Sequence, residues 1–106
     1  MRLGSLAKLL RSKNAGPFML TIDVLFPDRP SYELGRSLPV FAPDRIGALY
    51  GVEPGDVRTF DIPDFLAIKI SFPRPVASGA EGDSDVYGCQ YMARLARLEI
   101  EAEQRG

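Results

Sequence analysis

Three stretches of the 106-residue chain gather side chains that can do chemistry. The first is Ser12-Lys13-Asn14-Ala15-Gly16-Pro17. Lys13 supplies positive charge, and Asn14 with nearby backbone N–H groups supplies direction, which together suit an anion or carboxylate. The competing structural role is a chain terminator in which Asn or Gly turns left-handed. The second stretch runs from Pro73 to Asp85. Arg74 stands between two prolines that hold the backbone extended, a setting for a bidentate contact with a carboxylate or phosphate. Ser78, with Gly79 and Gly82, can cradle an anion. The third is Asp85-Val86-Tyr87-Gly88-Cys89-Gln90-Tyr91. Tyr87 and Tyr91 lie one helical turn apart and combine apolar area with a hydroxyl, as interface residues do. The same residues can equally seal a core. The candidate ligand-binding residues are therefore Lys13, Asn14, Arg74, Ser78, Asp85 and Tyr87.

Much other chemistry is excluded. The chain has no His, so no imidazole base, His-containing triad or His metal ligand exists. Glu81, Asp83 and Asp85 are spaced by two, as calcium ligands can be. The twelfth position is Met92 counted from Glu81 and Arg94 counted from Asp83, where an EF-hand needs Glu. No metal and no cofactor is assigned. The glycines match neither a P-loop nor a dinucleotide fingerprint. Cys89 has no partner for a disulfide, and with no His to activate it, it reads as a small apolar residue. The acidic residues are scattered, and no acid–base pair stands out.

Composition bounds the rest. Hydrophobic residues make up 45% and charged residues 25%, as in ordinary globular domains. The length suits one domain over residues 1–106. Thirteen basic against fourteen acidic residues give a net charge of -1, which predicts no nucleic-acid partner. The apolar runs fall well short of the ~20 residues of a membrane span. The first residues lack the continuous apolar region of a secretory signal. A cytoplasmic protein without membrane contact is the expectation.

The elements that must position these residues follow from periodicity. Leu3, Leu6, Ala7 and Leu10 repeat at helical spacing and predict a leading helix that stops near residues 12–17. Phe18, Leu20, Ile22, Val24 and Phe26 alternate with a mixed second face and predict a strand on the core. Asp28 is placed to cap the next helix, a weak one broken at Gly35, with Pro30 in its first turn. Pro43 to Tyr50 predicts a better helix closed by left-handed Gly51. A turn at Glu53–Asp56 precedes a short strand at Val57–Ile62, and Phe65–Phe72 predicts a second strong strand with Leu66, Ile68, Ile70 and Phe72 inward. Residues 76–84 read as a loop, and a short helix begins near Asp85. Ala96, Leu98, Ile100 and Ala102 alternate with charged residues, favouring a last strand over the helix that propensity suggests. The order predicts an α+β fold, a ferredoxin-like split βαβ with four mainly antiparallel strands and an extra N-terminal helix. The strands at 18–26 and 65–72 would be central, with Asp23 and Lys69 facing each other outward.

At Leu10-Arg11-Ser12-Lys13-Asn14-Ala15-Gly16-Pro17-Phe18, at Leu66-Ala67-Ile68-Lys69-Ile70, at Arg74-Pro75, Ser78-Gly79 and Gly82-Asp83, and at Asp85-Val86-Tyr87-Gly88, the chain resembles a family of small prokaryotic domains of unassigned function. They are similar to the small domain associated with AtuA, the acyclic terpene utilisation protein. The resemblance implies a ferredoxin-like fold, a larger AtuA-type partner and a setting in acyl-CoA or organic-acid catabolism. It also implies a His shortly after the Tyr-Gly-x-Gln segment, where this chain reads Gln90-Tyr91-Met92-Ala93-Arg94.

The reading that results is a small accessory subunit or interaction domain that docks an AtuA-type protein or a second copy of itself. Lys13, Asn14 and Arg74 would complete a site at that junction. The alternative is a stand-alone regulatory module that binds a carboxylate or acyl-CoA ligand. A free-standing enzyme ranks third, because Cys89, a Tyr or a carboxylate would have to act without imidazole.

Overall fold

Two strands carry the core, and their residues explain why. The computed structural model describes residues 2–16, 18–74 and 92–98. In order, the elements are α1 (Leu3–Leu6), β1 (Leu9–Asn14), β2 (Met19–Leu25), α2 (Arg29–Arg36), α3 (Pro43–Tyr50), β3 (Arg58–Ile62), β4 (Ala67–Pro73) and α4 (Met92–Ala96). Short 3-10 turns at Pro39–Phe41, Pro54–Asp56 and Pro63–Phe65 join them. The sheet runs β1-β2-β4-β3, and every pairing is antiparallel. Leu20, Ile22 and Val24 of β2 lie opposite Phe72, Ile70 and Ile68 of β4, and all six are buried. Each such side chain contributes about 1.5–3 kcal/mol on burial. Large alternating apolar residues on both strands thus make them the central pair.

The described helices cover that face. Asp28 caps α2 through a bond from the Ser31 N–H at 2.9 Å. Tyr32 of α2 is buried edge-on to Phe26, with ring centres 6.2 Å apart. Gly35 is where the Phe26 ring presses on the helix: a Cβ there would lie 2.4 Å from the ring. Val40, Phe41, Ile46 and Tyr50 complete the layer, and Tyr50 stacks on Phe72 at 4.8 Å. Gly51 ends α3 in the left-handed conformation at φ 71°, as expected from its place after the apolar stripe. Leu3 and Leu95 close the end near β1.

The α+β class, the four-stranded antiparallel sheet and the leading helix stand as expected. The connectivity differs from the expected order in one respect. The sheet is two hairpins joined by the helices; residues 19–25 run antiparallel to 67–73 as expected of the central pair, but the strand on the other side of 19–25 precedes them in the chain. The added strand is Leu9–Asn14, which the spacing of Leu3, Leu6, Ala7 and Leu10 had assigned to a helix. That helix stops at Leu6, and Leu10 is instead an inward strand residue beside Val24. Only one apolar residue marks the inner face of β1, where Leu10 is followed by Ser12 and Asn14. The strand signal was therefore weak. Met92–Ala96 is helical, followed by a turn; the remainder of the expected last strand lies outside the described residues, as do the loop at 76–84 and the helix expected near Asp85. Leu66, expected inward, takes a left-handed conformation at φ 52° at the close of the Pro63–Phe65 turn. The Glu53–Asp56 segment is a 3-10 turn. No described helix is long and apolar enough to cross a membrane.

Two outcomes check this account. Gly35→Ala gains helix propensity yet should lose about 1–3 kcal/mol through overpacking against Phe26, with part of the loss recovered in Gly35→Ala/Phe26→Leu, both read by urea denaturation. The Ser31 backbone N–H, and then its hydroxyl, hold the Asp28 carboxyl below its usual range. Its folded value being depressed, the cap contributes fully above the unfolded carboxylate range and is lost as pH falls through the folded value. Asp28→Asn should therefore show a smaller drop in denaturation midpoint between neutral and strongly acidic pH than the parent.

Candidate functional site

Strand alternation decides which candidate residues can meet. Reading the register across the sheet, Asn14, Leu20 and Phe72 form one row on the core face. Ser12, Ile22 and Ile70 form the next, and Ser12 is buried. Arg74 lies two residues beyond Phe72 and so points to the same side. Its backbone N–H donates to the Phe18 carbonyl at 2.9 Å, which prolongs the β4 edge past the start of β2. On the other flank Ala15 N–H donates to the Met19 carbonyl at 2.9 Å, and Gly16 turns the β1–β2 hairpin at φ 88°. Asn14 and Arg74 thus sit on either side of the first residues of β2.

The structure brings these two together. The Arg74 guanidinium donates to the Asn14 side-chain oxygen. Strands two apart are separated by roughly 10 Å, so one partner must be long, and arginine spans the gap. The side chain is 6% exposed. Asn14 of the first stretch and Arg74 of the second therefore meet at one corner of the core face. Lys13 does not join them. It neighbours Asn14 in β1 and faces the opposite side, exposed, across from Thr21. Ser78, Asp85 and Tyr87 lie outside the described residues, as does Cys89.

The opposite face of the sheet carries, beside Lys13, Asp23 and Lys69, side chains that sequence reasoning did not single out. Its rows are Leu9–Leu25–Ala67–Ile62, Arg11–Asp23–Lys69–Phe60 and Lys13–Thr21–Ser71–Arg58. Leu9 is 47% and Phe60 50% exposed. Asp23 sits opposite Lys69, as expected, but its ion pair is with Arg11 at 3.3 Å. Arg58 donates to the Gly55 carbonyl at 2.7 Å. Four cations and one carboxylate thus share this face. The alternation of Arg58, Phe60 and Ile62 was the signal that could have found it, since it places an aromatic ring and a cation on the side away from the core.

Elsewhere an open groove of about 420 Å³ is lined by Asp44, Gly47, Ala48, Gly51, Val52, Glu53 and Pro54. Its charged lining is acidic and unsuited to a carboxylate ligand. Among the described residues no cluster of three or more Cys, Asp or Glu could hold a metal ion.

A family model described as a domain of unknown function, DUF4387, matches residues 3–99. The chain belongs to this family. The DUF4387 match spans every described element, α1 through α4, and both flanks of the Asn14–Arg74 contact. Neither a curated protein nor a solved structure matches the chain. Membership of DUF4387 brings no activity, ligand or partner with it.

The Asn14–Arg74 contact has a measurable worth. Asn14→Ala removes the acceptor from a buried guanidinium and should cost about 1–3 kcal/mol. Asn14→Asp keeps an acceptor and adds a counter-charge, so at neutral pH it should cost less than Asn14→Ala. Equilibrium unfolding of the two variants against the parent reads the difference.

Proposed function

We propose that this DUF4387 chain is a small accessory subunit or interaction domain that docks a larger AtuA-type protein in acyl-CoA or organic-acid catabolism. The observation that carries the reading is the sheet face opposite the described helices, where Thr21 and Ala67 are buried but Leu9, Phe60 and the cations are exposed. On that face Leu9 and Phe60 supply apolar area, while Arg11, Lys13, Arg58 and Lys69 outnumber Asp23. The matching partner surface is acidic opposite the two cationic rows and apolar opposite Leu9 and Phe60 at the two edges. Such charge complementarity speeds encounter and fixes orientation more than it adds affinity. The resemblance of the strings around Lys13, Lys69 and Arg74 to the AtuA-associated small domain supports the choice of partner.

A second reading is a stand-alone metabolite-binding module for a carboxylate or acyl-CoA ligand. Its support is the meeting of a cation, Arg74, with a side-chain amide, Asn14, at one corner of the sheet. Against it stand the burial of that guanidinium and the placement of Lys13 on the other face. A melting-temperature shift with millimolar organic acids or acyl-CoAs, lost in Arg74→Met, would favour this reading over docking.

The docking reading is tested by co-expression with an AtuA-type protein from the same organism. The two should co-purify, and binding should weaken with added salt. Lys13→Glu/Lys69→Glu should reduce affinity at least about tenfold, the order expected when like charges replace complementary ones. Failure to co-purify at low salt, or indifference to the double charge reversal, would sink the proposal.

A further inference from the structure

The two edges of the sheet are not alike. α4 packs against β1 and against α1, and the Leu3 N–H donates to the Leu98 carbonyl just after α4 at 2.9 Å. β3 has no strand beyond it among the described residues. Arg58, Thr59, Phe60 and Asp61 are all exposed, on both faces of the strand, because the helix layer stops short of this edge. The Arg36 guanidinium reaches over it from α2, 3.3 Å from the Asp61 carboxylate. An edge strand carries a row of backbone N–H and C=O groups directed away from its own sheet, ready to pair with another strand.

We propose that β3 is a self-pairing edge, on which a second copy of this chain adds its own β3 antiparallel about a two-fold axis at Phe60. A two-fold perpendicular to a continuous antiparallel sheet must set one residue opposite itself. Centring on Arg58 or on Asp61 would oppose like charges, which is destabilising. Centring on Phe60 engages the whole strand. It sets Phe60 against its symmetry mate, Thr59 against Asp61 and Arg58 against Ile62. The aromatic pair falls on the outer face, where Phe60 is half exposed. On the other face the Thr59 hydroxyl can donate to the Asp61 carboxylate, and no like charges meet. The surface is thus complementary to itself in shape, charge and hydrogen bonding, which makes a second copy its natural occupant. The result is a continuous eight-stranded sheet with the two cationic faces side by side. This self-pairing does not depend on the docking of a larger protein.

A five-residue edge is small beside standard interfaces, so the association is weak and concentration-dependent. Sedimentation equilibrium over a dilution series of the full chain should show the apparent mass moving between one and two chains. Phe60→Glu and Phe60→Lys should each be monomeric, because each sets like charges at the axis. Mixed in equal amounts they should regain the dimer, a rescue that only self-opposition at residue 60 produces. Phe60→Ala should weaken association about tenfold through loss of the aromatic pair. Matching circular dichroism spectra establish that the variants fold. Lys69→Glu, which tests docking on the outer face, should leave the dimer intact. A parent chain of constant monomer mass at the highest concentration would overturn the proposal. So would charge variants that self-associate as the parent does, or a mixture no heavier than its components.

Discussion

The antiparallel pairing of β2 with β4 is the constraint from which the rest of the molecule takes its position. Three large apolar side chains on each strand lie in register and need a cover. The chain between the two strands supplies it as α2, the Pro39–Phe41 turn and α3. Because side chains alternate across a strand, burying Leu20, Ile22 and Val24 forces Thr21 and Asp23 to the other side. The same rule acts on Lys69 and Ser71 in β4. Each hairpin then adds an outer strand in a register that inherits the alternation. Sorting of the charged side chains onto the uncovered face is a consequence of core burial and needs no further cause.

That constraint also explains why Asn14 and Arg74 meet although 60 residues separate them. Asn14 and Phe72 flank the same residue of β2, and Arg74 continues the line of Phe72. The guanidinium bridges from the end of β4 to the end of β1 over the strand between them. Its hydrogen bond to Asn14 fixes the β1–β2 hairpin to the last central strand at the corner where Tyr50 stacks on Phe72. A buried charge held by an amide is weak evidence of stabilisation in itself. Removing one member is still costly, because the other has already given up water. The corner therefore specifies where the hairpin sits more than it strengthens the fold.

Legibility in the sequence followed the density of apolar alternation. β2 and β4 were readable because every second residue is large and apolar. The caps at Asp28 and Gly51 were readable because their residue types carry a mechanism, a side-chain acceptor in one case and tolerance of positive φ in the other. β1 was not readable, since beyond Leu10 its inner face is Ser12 and Asn14, polar residues, and the partner of Asn14 lies 60 residues away. Helical spacing from Leu3 to Leu10 won by default, being a local signal where the true one was long-range. The meeting of Asn14 with Arg74 was foreseeable as a possibility from their residue types. Exclusion of Lys13 required knowing that the segment is a strand, because only period two separates neighbours onto opposite faces. Phe60 passed unnoticed because one aromatic in a five-residue strand is ambiguous until the helix layer is known to end before it.

The bare face can be weighed against a plainer role as a solubilising surface. Solubility alone is served by charges of both signs, interspersed, with apolar groups kept few. Here the one carboxylate is engaged by Arg11, while Lys13, Lys69 and Arg58 extend from β1 across to the free edge. The half-exposed ring of Phe60 lies directly opposite Lys69 in the same row. Cations along a sheet do discourage indiscriminate strand pairing. They do so without any need for an exposed aromatic beside them, and an exposed aromatic raises the very risk they would reduce. The described helices lie on one side of the four-stranded sheet. A mostly cationic face that also carries an exposed aromatic ring suits a partner of opposite charge, and the docking proposal rests on that pairing of features.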